Sequence, residues 1–256
     1  MRDPLEALRE ALGWDGELGA PMEPDLGREA RTGVPEVILA EGKDLTSVIA
    51  LTQGFLESAG RAIVSRASPR VMRGLEFELK EHQLQAYRAS RMVVVRRPDF
   101  VGSSSGGRVG ILTAGTSDWP RAEEAQVIAQ EMGCETCIAG DVGVAGIHRL
   151  VRPLREMQER NVDVIVVAAG MDGALASVVA GLVDVPVIGL PVSRGYGMGG
   201  KGIGALFSML QTCVPGLTVV NIDNGVGAGA AAARIANRIA AAAAGRMAVG
   251  RSGVGL

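Results

Sequence analysis

From residue 108 onward the chain alternates short apolar runs with helix-patterned segments, and every apolar run ends in a glycine-rich turn. The runs fall at 109–113 (VGILT), 134–138, 163–169 (DVIVVAA), 185–190 (VPVIGL) and 217–222 (LTVVNI). Between them lie helical segments at Ala122–Met132, His148–Arg160, Gly173–Val183 and Gly202–Thr212, and an alanine-rich helix follows Gly227. Strands that are apolar throughout, rather than at every second residue, are buried on both faces. That is the condition of a parallel sheet between two layers of helices. Five of them predict a doubly wound α/β domain with the flavodoxin-like strand order 2-1-3-4-5.

The turns place the function. Of 36 glycines, 27 lie beyond residue 100, and they gather in Thr113–Pro120, Gly140–His148, Gly170-Met-Asp-Gly-Ala, the run from Pro191 to Gly200, and Asp223-Asn-Gly-Val-Gly-Ala-Gly. In an open parallel sheet the carboxyl ends of the strands form the ligand crevice. Glycine lets backbone approach a ligand closely, and helix N-termini offer N–H groups to anions. Five convergent turns of this kind point to a nucleotide or a phosphorylated substrate; the competing reading is that the glycines only tighten the turns.

The first half is less regular. Residues 1–35 are charged and broken by Pro and Gly, with short helices expected at Leu5–Leu12 and Leu26–Thr32. A strand at 34–40, a helix over Thr46–Glu57, and strands at Arg61–Ser65 and Met92–Val95 around a charged segment at 70–91 complete it. The organisation expected is a smaller α+β N-terminal region over 1–101, flexible for roughly its first 30 residues. A Gly/Ser linker at 102–107, the crevice domain at 108–245 and a flexible tail at 246–256 follow. With 26 basic against 28 acidic side chains the chain lacks the cationic surplus that phosphate backbones demand, so no nucleic-acid partner is expected. No apolar stretch is long enough to cross a bilayer, and the N-terminal residues lack the apolar core of a signal peptide. Three cysteines do not make a disulfide framework. The expectation is a cytoplasmic protein with reduced thiols and no membrane partner.

The candidate chemistry sits in the turns. Gly115, Thr116, Ser117 and Asp118 open the helix after the first strand, where they either cap it or bind phosphate or ribose. Asp141 and His148 lie in the second turn, seven residues apart; one reading of His148 is structural, the other catalytic. In the third turn Gly170, Met171 and Gly173 surround Asp172, an acid expected to be partly desolvated and so suited to proton transfer. Ser193, Gly195 and Tyr196 are candidates in the fourth. Asn221, Asp223 and Asn224 are candidates in the fifth, Asp223 either capping the last helix or binding a cation. His82, in Glu81-His82-Gln83, is expected in a solvated helical stretch. Cys134 and Cys137 have C-x-x-C spacing but no second pair, and read as core residues rather than metal ligands. Cys213 follows an apolar helix and precedes Val-Pro-Gly, a buried small residue or a nucleophile.

Four segments carry a resemblance: ILTAGTSDWP (111–120), DVGVAGIHRL (141–150), AGMDGALASVVAGLVDVPVIGLPVSRGYG (169–197) and MLQTCVPGLTVVNIDNGVGAG (209–229). Together with Arg28–Lys43 (REARTGVPEVILAEGK), they resemble the LarB family of nickel-pincer nucleotide biosynthesis. The C-terminal half of that family is similar to the purine-pathway carboxylase PurE, with which the Ser-Asp-Trp-Pro tetrapeptide is shared. The resemblance implies a PurE-like, flavodoxin-like domain and a homo-octamer. It implies nicotinic acid adenine dinucleotide as substrate, CO2 or bicarbonate as co-substrate, Mg²⁺ as cofactor with metal ligands unknown, and AMP as one product. The ring would be carboxylated and the phosphoanhydride hydrolysed, yielding pyridinium-3,5-biscarboxylic acid mononucleotide. Cys213 falls on the family's nucleophile and Asp172 on its acid.

The sequence departs from the family at Asp172, where Glu is expected, at Ala176, where Pro is common, and at Gln211-Thr-Cys, where Asn-Ser-Cys is usual. Because Cys213 precedes the fifth strand, it is expected at the end of the sheet opposite the crevice, in a site shared between subunits, reaching a neighbour's crevice or a displaced part of its own. Arg28, Arg31, Glu36 and Lys43 are candidate ligand contacts of the N-terminal region, or solvated charges. Two alternatives remain open: an aminoimidazole ribonucleotide carboxylase of the purine type, which needs no Cys213, and a non-catalytic nucleotide-binding module.

Overall fold

The computed structural model describes Asp25 and residues 27–252, with side chains through 246. The helix expected at Leu5–Leu12 lies outside the described residues. The first helix, α1 (Arg28–Thr32), turns into β1 (Val37–Leu39). Next come α2 (Leu45–Ala59), β2 (Arg61–Ser65), α3 (Pro69–Glu78), β3 (Gln83–Tyr87) and β4 (Met92–Arg96). Local chemistry sets the ends of these helices. Asp44 caps α2 by accepting from the Ser47 N–H at 2.8 Å, and Gly60 closes it in the left-handed conformation. Ser68 caps α3 on the Val71 N–H, with Pro69 pre-set at the first helical position.

The strands order as β1-β2-β4-β3, with β1 parallel to β2 and the other pairs antiparallel. The charged segment 70–91 therefore contains a helix and an edge strand. His82 lies in the half-buried turn before β3, not in a helix as the sequence suggested.

The second half follows the expected alternation: β5 (Arg108–Thr113), α4 (Trp119–Glu131), β6 (Glu135–Ala139), α5 (Val151–Glu159), β7 (Val164–Ala169), α6 (Ala174–Ala180), β8 (Val187–Pro191), α7 (Ile203–Leu210), β9 (Leu217–Val219) and α8 (Gly225–Ser252). All five strands are parallel in the order β6-β5-β7-β8-β9, the 2-1-3-4-5 arrangement read from the sequence. The last strand stops at Val219, because Asn221–Asn224 is used as a turn. The last helix runs on to Ser252, through part of the stretch expected as a tail.

Side-chain alternation sorts the molecule into five layers. Ala62, Val64, Val93 and Val95 meet Val48, Phe55, Val71 and Leu75 of α2 and α3 on one face of the first sheet. The other face of that sheet, through Ile63, Met92 and Val94, joins α4 and α8 and the near face of the second sheet in one core. The far face of the second sheet, with Leu112, Ile165 and Val167, is covered by α5, α6 and α7. The alanine and glycine content of α8 now has a cause. A Cβ on Gly229 would stand 2.4 Å from the Ala125 carbonyl oxygen, and one on Gly225 2.4 Å from that of Arg121. Small residues let α8 and α4 touch backbone to backbone, and Ala228, Ala232, Ala233 and Ala236 are fully buried there. A buried carboxylate, Glu131, ties this layer to the first sheet by receiving Arg61 and Arg96. Among the described residues no helix is long and apolar enough to cross a membrane.

Candidate active site

The five turns converge at the carboxyl edge of the second sheet, as the parallel topology requires. After β5 the chain makes a single 3₁₀ turn, Thr116–Asp118, before α4. Asp118 folds back so that its Oδ2 accepts the Gly115 N–H at 2.8 Å, while its Oδ1 is buried with no hydrogen-bond partner among the described residues. Burial pushes the Asp118 carboxyl above its ordinary range, and the nearby Asp223 charge adds to this against the N–H groups of Gly115 and Gly170. Thr116 and Ser117 stand exposed beside it. Asp118 thus closes its own turn through one carboxylate oxygen, and the other has no hydrogen-bond partner among the described residues.

Gly170 is dictated by this contact. A Cβ there would lie 2.2 Å from the Arg194 carbonyl oxygen and 3.2 Å from Asp118 Oδ1, so the first, third and fourth turns meet at a point with no room for a side chain. Met171 takes a positive φ of 54° and is exposed. Gly173 opens α6 at φ 64°, against the Ala205 backbone. Asp172 is exposed, not desolvated as expected, and its Oδ1 accepts the Ala174 N–H at 3.3 Å. None of the described residues buries its carboxylate.

In the second turn Asp141 has φ 59° and donates its N–H to Thr113 Oγ1. Its carboxylate is held by Arg149, while His148 sits exposed on the 3₁₀ segment Val144–Leu150. The fourth and fifth turns are locked together: Ser193 donates its N–H at 2.9 Å and its hydroxyl at 2.5 Å to the Asp223 carboxylate. Gly195 and the exposed Tyr196 continue that loop. Burial pushes the Asp223 carboxyl up, but the Ser193 donors and the guanidinium groups of Arg121 and Arg66 outweigh it and hold it below the usual range. Asp223 does not cap the last helix; Asn224 does, through the Gly227 N–H at 2.9 Å. Asn221 bonds the N–H of Ile222 and stays exposed.

Three contributors went unread in the sequence. Arg66, after β2, donates to the Asp223 carbonyl oxygen at 2.9 Å from 157 residues away. Arg121 pairs with Glu124 and approaches Asp223 at 3.5 Å. Ala89, in the β3–β4 turn, lines a cavity of about 480 Å³ with Thr116, Trp119, Pro120, Gly140 and Asp141. The N-terminal region therefore touches the crevice at both ends. Its other candidates are paired among themselves, Arg28 with Glu36, Arg31 with Asp25, and Lys43 with the Leu39 carbonyl oxygen.

Cys134 is buried and Cys137 half-buried, as core residues should be. Cys213 is exposed, in the loop between α7 and β9 at the amino end of that strand. Its neighbour Thr212 is hydrogen-bonded to Ser177 of α6 at 2.9 Å. Ser177 lies four residues beyond Gly173, about 6 Å along the helix axis. Cys213 thus flanks α6, roughly one turn along from the Gly173 cap that follows Asp172.

Fold and crevice define a doubly wound α/β protein whose five βα turns converge at the carboxyl edge of its parallel sheet. Residues 108–252 match the AIR carboxylase family and residues 17–97 match the LarB/PurE-like N-terminal domain. The chain belongs to the AIR carboxylase family, carries a LarB-type N-terminal domain and is an enzyme of that kind. It is 42% identical over 231 residues to an uncharacterized protein of Methanocaldococcus jannaschii, covering 88% of each chain. It is 32% identical over 135 residues to an N5-carboxyaminoimidazole ribonucleotide mutase of Thermotoga maritima, spanning 50% of this chain and 74% of that one. The corresponding mutase of Aquifex aeolicus is 31% identical over 134 residues, 50% of this chain and 75% of the relative.

Proposed function

We propose that this protein carboxylates nicotinic acid adenine dinucleotide with CO2 and hydrolyses its phosphoanhydride, releasing AMP and pyridinium-3,5-biscarboxylic acid mononucleotide. One observation carries the reading: an AIR carboxylase domain joined to a LarB-type domain also presents an accessible thiol, Cys213, beside the helix that follows the Asp172 turn. The mutase relatives align with only half of this chain.

The chemistry follows from the ring. A pyridinium is electron-poor and does not attack CO2. Addition of the Cys213 thiolate at the carbon para to nitrogen places an electron pair in the ring as an enamine, nucleophilic at the free meta carbon. That carbon takes CO2, forming the new C–C bond. Asp172 removes the proton from the same carbon, and expulsion of the thiolate restores aromaticity. Sulfur serves because it is both nucleophile and leaving group. Water then divides the diphosphate into AMP and the mononucleotide. Asp118 and Ser193 hold the polar groups of the substrate, and Asp141 and His148 line the second turn.

Mg²⁺ enters the reading from the family resemblance. Among the described residues no group of three His, Cys, Asp or Glu converges to hold a metal, and the oxygens of Asp223 are already taken by Ser193 and Arg121. Homo-oligomer formation belongs to the same proposal: Ile203, Phe207 and Leu210 form an exposed apolar stripe on α7, leading to Cys213. A neighbouring subunit seated there would cover the thiol and complete the site.

The test is incubation with the dinucleotide, bicarbonate and Mg²⁺ followed by mass spectrometry. A mononucleotide with one added carboxyl group, and AMP, are expected; unaltered dinucleotide refutes the reaction. The mutase relatives favour a second reading, carboxyl transfer on an aminoimidazole ribonucleotide. It predicts that Cys213→Ala retains activity on that substrate.

A further inference from the structure

α3 lies on the outer face of the first sheet, with Val71, Met72 and Leu75 in the core beneath it. Its opposite face is bare. Arg70, Arg73, Phe77 and Lys80 recur at the three- and four-residue spacing of one helical face, and all four are exposed. Phe77, a large apolar side chain in the middle of that face, is 74% exposed. The charges of this helix also run against its own dipole. A helix favours acids in its first turn and bases in its last, and α3 has neither. Arg70 and Arg73 occupy its first half, while Glu76, Glu78 and Glu81 lie at its end and in the turn beyond, with Lys80 among them. Glu76 holds Arg88 at 3.3 Å; among the described residues Arg70, Arg73, Glu78, Lys80 and Glu81 make no ion pair.

We propose that this face is a contact between the N-terminal regions of two copies of the chain, with two α3 helices packed antiparallel about a two-fold axis at Phe77. Charge complementarity selects the occupant. An antiparallel copy sets each position before Phe77 against the position equally far after it in the other helix. Arg73 of one copy therefore meets Glu81 of the other, and the axis repeats the pair. The bases at the start of one helix then adjoin the end of its neighbour, which is where the dipole wants them. An acidic protein or a phosphate backbone would use the bases alone; a copy of the same helix answers the acids as well. A two-fold contact is made by one patch with itself, and Phe77 supplies the apolar centre that the charged residues rim. A ten-residue helix is about 15 Å long, and a pair of them falls short of the roughly 1,200 Å² of an interface that is stable alone. The contact therefore works inside an assembly held at a second face, where tethering raises the local concentration. It does not depend on the reaction proposed above. From α3 the chain runs through β3 to Ala89 in the crevice wall, and the Glu76–Arg88 pair fastens that turn to the helix. Paired α3 helices brace the wall from outside.

Thiol cross-linking of the full chain tests this. In a Cys213→Ala background, which removes the exposed native thiol, Phe77→Cys is treated with a short bismaleimide. A two-chain product joined from position 77 to position 77, identified by peptide mass, is expected. Glu57→Cys, at an exposed position on α2, is the control and is expected to stay single. Adding Arg73→Glu to the Phe77→Cys chain sets like charges across the axis and is expected to lower the yield about tenfold or more. Adding Glu81→Arg as well exchanges the two charges and is expected to restore it. All four positions are exposed, so none of these changes removes a core contact, and circular dichroism checks the fold. No link at position 77, a yield no greater than the control's, or a loss that the charge exchange does not restore each overturns the antiparallel pair. A link from position 77 to a different segment gives the face another occupant and overturns it as well.

Discussion

Glu131 ends α4 with its side chain 4% exposed, and its two carboxylate oxygens receive two guanidinium groups from the N-terminal sheet. Arg96 donates to Oε1, and Arg61 approaches Oε2 at 3.2 Å and also donates to the Glu131 carbonyl oxygen. Glu131→Ala therefore removes the anion and leaves two cations facing a cavity. Breaking a buried pair from one side costs about 3–5 kcal/mol, but not every part of that applies here. Arg61 keeps Glu29, the carbonyl oxygen and the face of Phe100, and Arg96 is 22% exposed and can turn to water. The expected loss is at the low end, about 3 kcal/mol. Glu131→Gln retains an acceptor and is expected to lose about half as much.

The measurement is urea unfolding followed by circular dichroism, in low and high salt. Ile63, Met92 and Val94 share one buried core with Val109, Ile111 and Ala232, so the two regions are expected to unfold in a single transition. The midpoint should fall with little change in slope, and the difference should survive high salt because the pair is shielded from counter-ions. A loss below about 1 kcal/mol would place the pair with ordinary surface bridges and refute the argument. Two separate transitions in the wild type would refute the shared core.

Asp118→Asn is expected to raise the urea midpoint at about pH 7 and to abolish substrate binding. A carboxyl raised above 3.8 by burial stabilises the fold fully only below that value and loses this as pH rises through its folded pKa, so the advantage of Asn should vanish near pH 3. Asp223→Asn has the opposite sign. Its lowered carboxyl stabilises the fold above 3.8 and ceases to do so as pH falls through the folded value, so a loss of about 1–2 kcal/mol near neutrality should disappear in strong acid. Gly170→Ala places a methyl group 2.2 Å from the Arg194 carbonyl oxygen; it is expected to cost about 1–3 kcal/mol and to remove activity by displacing the third turn, as unfolding and product assays would show.

What the sequence made legible was what depends on neighbours along the chain. The β5, β7 and β8 runs are apolar on both faces, so each reads as a buried parallel strand in isolation, and the glycine turns after the strands read as crevice loops. β3 did not read, because Gln83-Leu-Gln-Ala-Tyr is an edge strand with polar residues turned outward, set in a run of charges. The turn residues were legible as a group, but their division of labour was not. Asp223 and Asn224 are adjacent and both suited to capping, and only the position of Ser193 and Arg121 assigns the carboxylate to the crevice and the amide to the helix. Asp172 misled for the same reason: an acid after an apolar strand is desolvated only if something covers it, and none of the described residues does.

The arginines mark the limit most clearly. Arg66, Arg61 and Arg96 carry no local pattern that separates them from solvated surface charges, yet each crosses between the two regions to a carbonyl or carboxylate of the second domain. Their destinations follow from the shared core. Once Ile63, Met92 and Val94 press the first sheet onto α4 and α8, the end of β2 at Arg66 is carried to the Asp223 turn. The start of β2 at Arg61 is likewise carried to Glu131. Packing of apolar side chains therefore decides which charges meet. The N-terminal region helps build the crevice because its sheet buries a second face, and removing that face should loosen the Asp223 turn without altering a residue of the second domain.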